Sequence, residues 1–185
     1  MDFILASGSP RRLEIFNMLG ISPRVITADV EEKTEETTTD KIVISLSRLK
    51  GERVAEEHPE SVVVSADTIV YHEGKVLGKP KSAEEAYSML ESFSGKSHEV
   101  WTGYTIFYKG QIISKSVMTR VFFRALAKDE IDKYIASGEC FDKAGAYGAQ
   151  GSAAAFVEKI EGDFFNVVGF PACDFIKTLR DIKIV

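Results

Sequence analysis

The 185-residue chain is poor in the features that mark a specialised protein class. It has only two cysteines, Cys140 and Cys173, far apart and without the spacing of a metal site. That excludes a disulfide framework or a zinc cluster and points to reduced thiols in a cytoplasmic protein. It has no excess of basic residues: 23 Lys and Arg stand against 28 Asp and Glu, a net charge of −5. A general nucleic-acid footprint is excluded, and any bound anion must meet a local basic cluster. The opening Met1-Asp2-Phe3-Ile4-Leu5 carries an early acid and no long apolar run, so neither a secretion signal nor a membrane span is expected. Internal repeats and low-complexity tracts are missing, and the Thr/Glu-rich patch Glu31–Asp40 reads as a solvated loop. With 44% hydrophobic and 28% charged residues, the composition is that of an ordinary globular protein. The length suits a single domain over 1–185, built as two lobes around a cleft.

What is present centres on Val62-Val63-Val64-Ser65-Ala66-Asp67-Thr68-Ile69-Val70. Such a β-branched run reads as a strand buried on both faces. A carboxylate there is costly unless it is paired, hydrogen-bonded or bound to metal. Asp67 is therefore either a structural anchor or a functional acid at a strand end, and taken alone the two are evenly matched.

Phe3–Ala6 reads as a short strand running into Ser7-Gly8-Ser9-Pro10-Arg11-Arg12. Ser9 suits an N-cap and Pro10 a first helical residue, with Gly20 closing the helix. Arg11 and Arg12 stand where the helix macrodipole disfavours cations. They are either solvated or part of an anion site with the free N–H groups and serines around them, and the second reading is favoured. This is not a P-loop, because Gly-Lys-Ser/Thr is missing. A second strand is expected over Arg24–Thr27, then a loop with Glu32, then a helix capped by Asp40 and reaching about His58. Lys50 shares its apolar side, where a lysine either snorkels to solvent or reaches over a cleft rim toward an anion.

Beyond the central strand, Glu73-Gly74 predicts a hairpin, and Gly78-Lys79-Pro80 ends its returning strand. Ser82 and Glu85 form a capping box for a helix burying Ala86, Met89, Leu90 and Phe93. Two long strands, Glu99–Tyr108 and Gln111–Phe123, turn at Lys109-Gly110, and their aromatic side suits a core or a dimer surface. A short helix follows over Asp129–Ser137. Asp142-Lys143-Ala144-Gly145-Ala146-Tyr147-Gly148-Ala149-Gln150-Gly151 is a small-residue loop that a ligand can approach closely. Ala153–Ile160 and Phe164–Val168 read as strands, and Pro171 opens the last helix. The pattern predicts an α/β fold with a mixed, twisted sheet flanked by helices.

Four stretches resemble the Maf family: Ala6-Ser7-Gly8-Ser9-Pro10-Arg11-Arg12, Ser65-Ala66-Asp67-Thr68, Leu77-Gly78-Lys79-Pro80 and the loop from Asp142 to Gly151. Gly162-Asp163 and Val168-Gly169-Phe170-Pro171 extend the likeness, which runs in order over essentially the whole chain. The resemblance implies an inosine-triphosphatase-like fold and metal-dependent cleavage of a nucleoside triphosphate to its monophosphate and pyrophosphate. It makes Asp67 the proton acceptor that activates water. It places Arg11, Thr68 and Gln150 at positions linked to substrate choice, and Arg12, Lys50 and Lys79 among the phosphate contacts. Glu32 matches an active-site acid, so Asp67 and Glu32 are the expected ligands of Mg²⁺ or Mn²⁺. Ala-Asp-Thr with Ala-Tyr-Gly-x-Gln-Gly is similar to the subfamily acting on dTTP and UTP rather than on 7-methyl-GTP. Ala149 and Phe170 depart from the usual isoleucine and leucine, and the first bears on base preference. A homodimer is expected by resemblance, with no nucleic acid or membrane as partner.

The rival reading is a nucleotide-binding regulator of cell division that does not hydrolyse its ligand. Another is a phosphohydrolase that removes the terminal phosphate and yields orthophosphate.

Overall fold

The structure is a computed structural model and describes residues 1–184. Among these residues, seven strands form one sheet with the order β2-β1-β3-β5-β6-β7, β4 pairing with β3. Strand β1 (Phe3–Leu5) leads through helix α1 (Pro10–Met18) to β2 (Arg24–Val25), and helix α2 (Thr39–Glu57) leads to β3 (Val62–His72). β1 lies parallel to both β2 and β3, as helical crossovers require. β4 (Lys75–Leu77) returns antiparallel on β3. Its turn residues Glu73 and Gly74 both have positive φ, 46° and 81°, the backbone of a tight two-residue hairpin. β5 (Ser97–Tyr108) and β6 (Gln111–Phe123) meet at Lys109-Gly110, with φ of 48° and 77°. β7 (Val157–Glu161) is antiparallel to β6, so the sheet is mixed as the sequence predicts.

Contacts divide the chain into two compact units. The first comprises Met1–Thr68, Trp101–Val117 and the chain from Phe165 on; the second comprises Ile69–Val100 and Met118–Phe164. The core of the first gathers Phe16, Phe170 and Phe175, with ring centroids 5.0–5.2 Å apart, beside the buried Tyr104. Tyr104 satisfies its hydroxyl on Asp174 Oδ2 and Thr178 Oγ1, 2.7 Å from each. The core of the second packs Phe93 of helix α3 (Ala83–Phe93) against His98, Phe123 and Tyr147.

Several local expectations shift. Thr38, not Asp40, is the N-cap of α2, and Asp40 sits in its first turn. β2 covers only Arg24 and Val25 of the expected Arg24–Thr27. Helix α4 spans Lys128–Ala136, one residue before the span expected. Ser152–Phe156 forms a 3₁₀ turn and the strand begins only at Val157, because the alanines bring no β-branched side chain to a pleated surface. Phe164–Val168 is the short helix α5 rather than a strand. A five-residue apolar run does not reveal its own period. Gly169, at φ 125°, closes it by donating to the Phe165 and Asn166 carbonyls. The last helix, α6, runs Ala172–Asp181 with Pro171 as its cap.

The buried stripe of α2 is Val43, Ser47, Gly51 and Val54. Its small residues let the helix lie close to the sheet. A Cβ at Gly51 would collide with Ser65 and with the Phe107 ring, 2.5 Å away. On the sheet side, a Cβ at Gly103 of β5 would overlap the Val43 carbonyl and lie 2.7 Å from the Ile44 nitrogen. Helix backbone cannot turn aside as a side-chain tip can. Gly103→Ala is therefore expected to lower stability by about 1–3 kcal/mol, read as a lower urea midpoint with unchanged slope.

Candidate active site

The turn after β1, the β2–α2 loop and α2 line a pocket of about 200 Å³ in the first unit, formed by residues that include Ser7, Gly8, Arg12, Asp29, Glu32 and Lys50. Every residue of β3 except Thr68 and Tyr71 is buried, Asp67 included. The cost of burying that acid is offset by Lys50, whose Nζ donates to Asp67 Oδ1 at 2.5 Å. The same ammonium lies 2.9 Å from Glu32 Oε2, and Glu32 is exposed. One lysine thus joins the two acids that the resemblance pairs as metal ligands.

Lys50 reaches Asp67 because of the close seating of α2. Ser65 Oγ donates to the Ser47 carbonyl at 2.6 Å, and Ser47 Oγ meets Thr105 Oγ1 at 2.8 Å. These bonds fasten the helix to β3 and β5 one turn before Lys50. The apolar stripe needed to predict this was hidden, because its central members are serine and glycine.

Arg12 is held differently from the expectation of an anion-facing residue. Its Nε donates to the Gly169 carbonyl at 2.9 Å. Nη1 donates to Ser7 Oγ and to the Ala66 carbonyl, 2.9 Å each, and Nη2 to Thr68 Oγ1 at 3.1 Å. Burial pulls the Arg12 pKa down, opposed by the negative charge of Asp67. Thr68 Oγ1 also meets Thr102 Oγ1 at 2.9 Å. Arg11, the other first-turn arginine, is half-buried on the same helix. Gly169 and Thr102 carry no signal in the sequence that ties them to Arg12, from which they are 157 and 90 residues distant.

Lys79 and Gln150 belong to the second unit, and both are exposed. Their loops are fastened together: Gly145 donates its N–H to the Gly78 carbonyl at 3.0 Å. Gly145 has φ 70°, and a Cβ there would press on Val70 at 2.9 Å. At the far end of the loop, Glu139 accepts from Ser152 N and Oγ at 3.1 and 2.9 Å. Between them Tyr147 points inward and meets His98 Nε2 at 2.7 Å. The sequence marked this loop as small and open, and the structure adds that its one aromatic side chain is the buried anchor.

Residues 2–182 match the family described as Maf-like protein. The chain belongs to that family. Relatives named dTTP/UTP pyrophosphatase are similar over nearly the whole length. The protein of Carboxydothermus hydrogenoformans is 46% identical, covering 98% of both chains. That of Bacillus cytotoxicus is 45% identical over 96% of this chain and 94% of its own. That of Thermosipho melanesiensis is 44% identical over all of both. Among solved structures, the Ham1 protein of Staphylococcus aureus superposes with a TM-score of 0.56, covering 99% of this chain and all of that one. At 11% identity that likeness concerns the fold alone, and it bears out the expected α/β architecture of this Maf-like protein. No helix among its described residues is long and apolar enough to cross a membrane.

The anchor of the Gly-rich loop is sensitive to acid. Burial, with a smaller contribution from the nearby His72, pushes the His98 pKa down from 6.5 to about 3. The folded protein therefore keeps His98 neutral where the unfolded chain takes up a proton. Its contribution is complete above pH 6.5 and is lost as pH falls toward 3, at up to about 1.4 kcal/mol per pH unit. Urea unfolding measured from pH 7 to pH 4 should show this loss, and His98→Gln should flatten the slope.

Proposed function

We propose that this Maf-like protein hydrolyses nucleoside triphosphates, with dTTP and UTP as its substrates, to the monophosphate and pyrophosphate. The observation that carries the reading is the buried Asp67 joined through Lys50 to Glu32 beside a polar pocket. The names of its full-length relatives support the same chemistry.

Asp67 accepts the proton of a water whose oxygen attacks the α-phosphorus. The bond from that phosphorus to the α–β bridging oxygen breaks, and its electron pair leaves with pyrophosphate. Lys50 is displaced from the two acids onto the phosphates, where its charge, with that of Arg11, stabilises the leaving group. Gln150 offers both a donor and acceptors, which suits a pyrimidine edge.

Asp67 and Glu32 also fit a divalent ion. They are hard oxygen donors that already share one cation, and Mg²⁺ commonly takes one or two carboxylates with the rest from phosphates and water. Among the described residues no group of three or more acids, histidines or cysteines forms a cage. Bound there, Mg²⁺ or Mn²⁺ would supply charge neutralisation at the triphosphate. A cytoplasmic setting and a homodimer complete the proposal; the two free cysteines are compatible with the first.

Purified protein with Mg²⁺ or Mn²⁺, offered dTTP, UTP, CTP, ATP, GTP and 7-methyl-GTP, should release pyrophosphate chiefly from the first two. Orthophosphate instead would assign a different hydrolase, and binding without release would assign a sensor. Asp67→Asn should keep nucleotide binding while kcat falls by about 10²–10⁴. Near-normal turnover in that variant would remove Asp67 from its role.

A further inference from the structure

We propose that Arg12 is a positioning residue that clamps the strand on both sides of Asp67, and that Gly169 and Thr102 are the other parts of the clamp. A guanidinium has five N–H groups. Four are committed within the protein: to Gly169 O, Ser7 Oγ, Ala66 O and Thr68 Oγ1. Two of these acceptors belong to the residues immediately before and after Asp67. Only one N–H, on Nη2, remains for any other partner. A bidentate grip on phosphate, the usual advantage of arginine at such a site, would require breaking the clamp.

The hydroxyls beyond Arg12 continue the network. Thr68 Oγ1 accepts from Arg12 and lies 2.9 Å from Thr102 Oγ1 and 3.4 Å from the Gly169 carbonyl, either of which can take its hydrogen. Thr102, fully buried, then donates to the Asn166 carbonyl at 3.2 Å. Arg12 and Thr102 thus both end on the α5–α6 segment, at Gly169 and Asn166. Gly169 takes φ 125°, a conformation that side-chain-bearing residues rarely adopt, and its carbonyl meets Arg12. This assigns work to the Val168-Gly169-Phe170-Pro171 motif, to which the reaction itself gives no role. It also explains the first-turn cation that the macrodipole disfavours: its bonds go to carbonyl and hydroxyl oxygens around Asp67. Thr68, with its hydroxyl inside the same network, influences the reaction through the placement of Asp67.

The inference rests on the pyrophosphatase reading, and two readouts separate them. In dTTP hydrolysis, Arg12→Lys keeps the charge but cannot reach four acceptors. It should lower kcat at least about tenfold while KM changes less than about threefold. Thr102→Val should lower kcat in the same manner, and Thr102→Ser should restore it. Raised KM with kcat retained in Arg12→Lys would make Arg12 a phosphate contact and overturn the proposal, as would wild-type kcat in Thr102→Val. Amide hydrogen exchange gives the readout independent of substrate. Arg12→Lys and Thr102→Val should each speed exchange at residues 66–69 and 169–170 together, with β6–β7 unchanged. Unchanged exchange at both segments would refute the clamp. A wild-type protein that released no pyrophosphate would sink the substrate reading, and exchange would still decide the clamp. Thr102→Val serves if Arg12→Lys does not fold.

Discussion

An acid in the middle of a buried strand has to be supplied with a cation, and most of the first unit is arranged around that requirement. Asp67 sits in a strand where only Thr68 and Tyr71 are not buried. Its partner, Lys50, comes from a helix, so helix and strand must approach closely and in one register. The face of α2 that meets the sheet has small and polar residues at its centre, where few interlocking apolar side chains are left to set the register. Here hydroxyl bonds fix it: Ser65 to the Ser47 carbonyl, and Ser47 to Thr105. Gly51 then removes the side chain that would have held the helix off. The polar residues on this buried face are what bring the ammonium to the carboxylate.

The two basic residues near Asp67 have opposite characters. Lys50 makes single contacts with two acids, one of them exposed, and its flexible stem can move. Arg12 makes four planar contacts with groups that cannot leave, two of them main-chain carbonyls of other segments. A flexible point charge suits a partner that must change during a reaction, and a rigid fork suits one that must not. The sequence treats them alike, as cations awaiting phosphate. Geometry separates a mobile charge from a fixed one.

Much of the fold was legible because local rules agreed with it. Ser82 does cap α3, accepting from Glu85 N, and its apolar stripe is buried as spaced. The hairpin turns fall on residue pairs whose positive φ their glycines advertise. Asp67 was visible as a carboxylate where carboxylates are costly. What stayed hidden depends on contacts across long stretches of chain. Phe164–Val168 has strand-like side chains and yet is helical, closed by a glycine that Arg12 grips from the other end of the sequence. The bonding of Thr102 cannot be read from β5, where it is one threonine in an alternating run. Motif matching found the residues but not which of them touch each other.

The division of the chain has a chemical consequence. Asp67, Glu32, Lys50 and Arg12 all lie in the first unit, and Lys79 and Gln150 in the second. The loop bearing Gln150 is fixed by its own bonds: Gly145 on Gly78, Tyr147 on His98, and Glu139 on Ser152. None of these involves the groups that hold Asp67. Among the described residues, the bonds that fix this loop and the bonds that hold Asp67 have no member in common. A departure such as Ala149 is then local to that loop. Asp67, by contrast, is bonded through its neighbours to Arg12, and through Arg12 to Ser7 and Gly169, so a change at any of these reaches the acid.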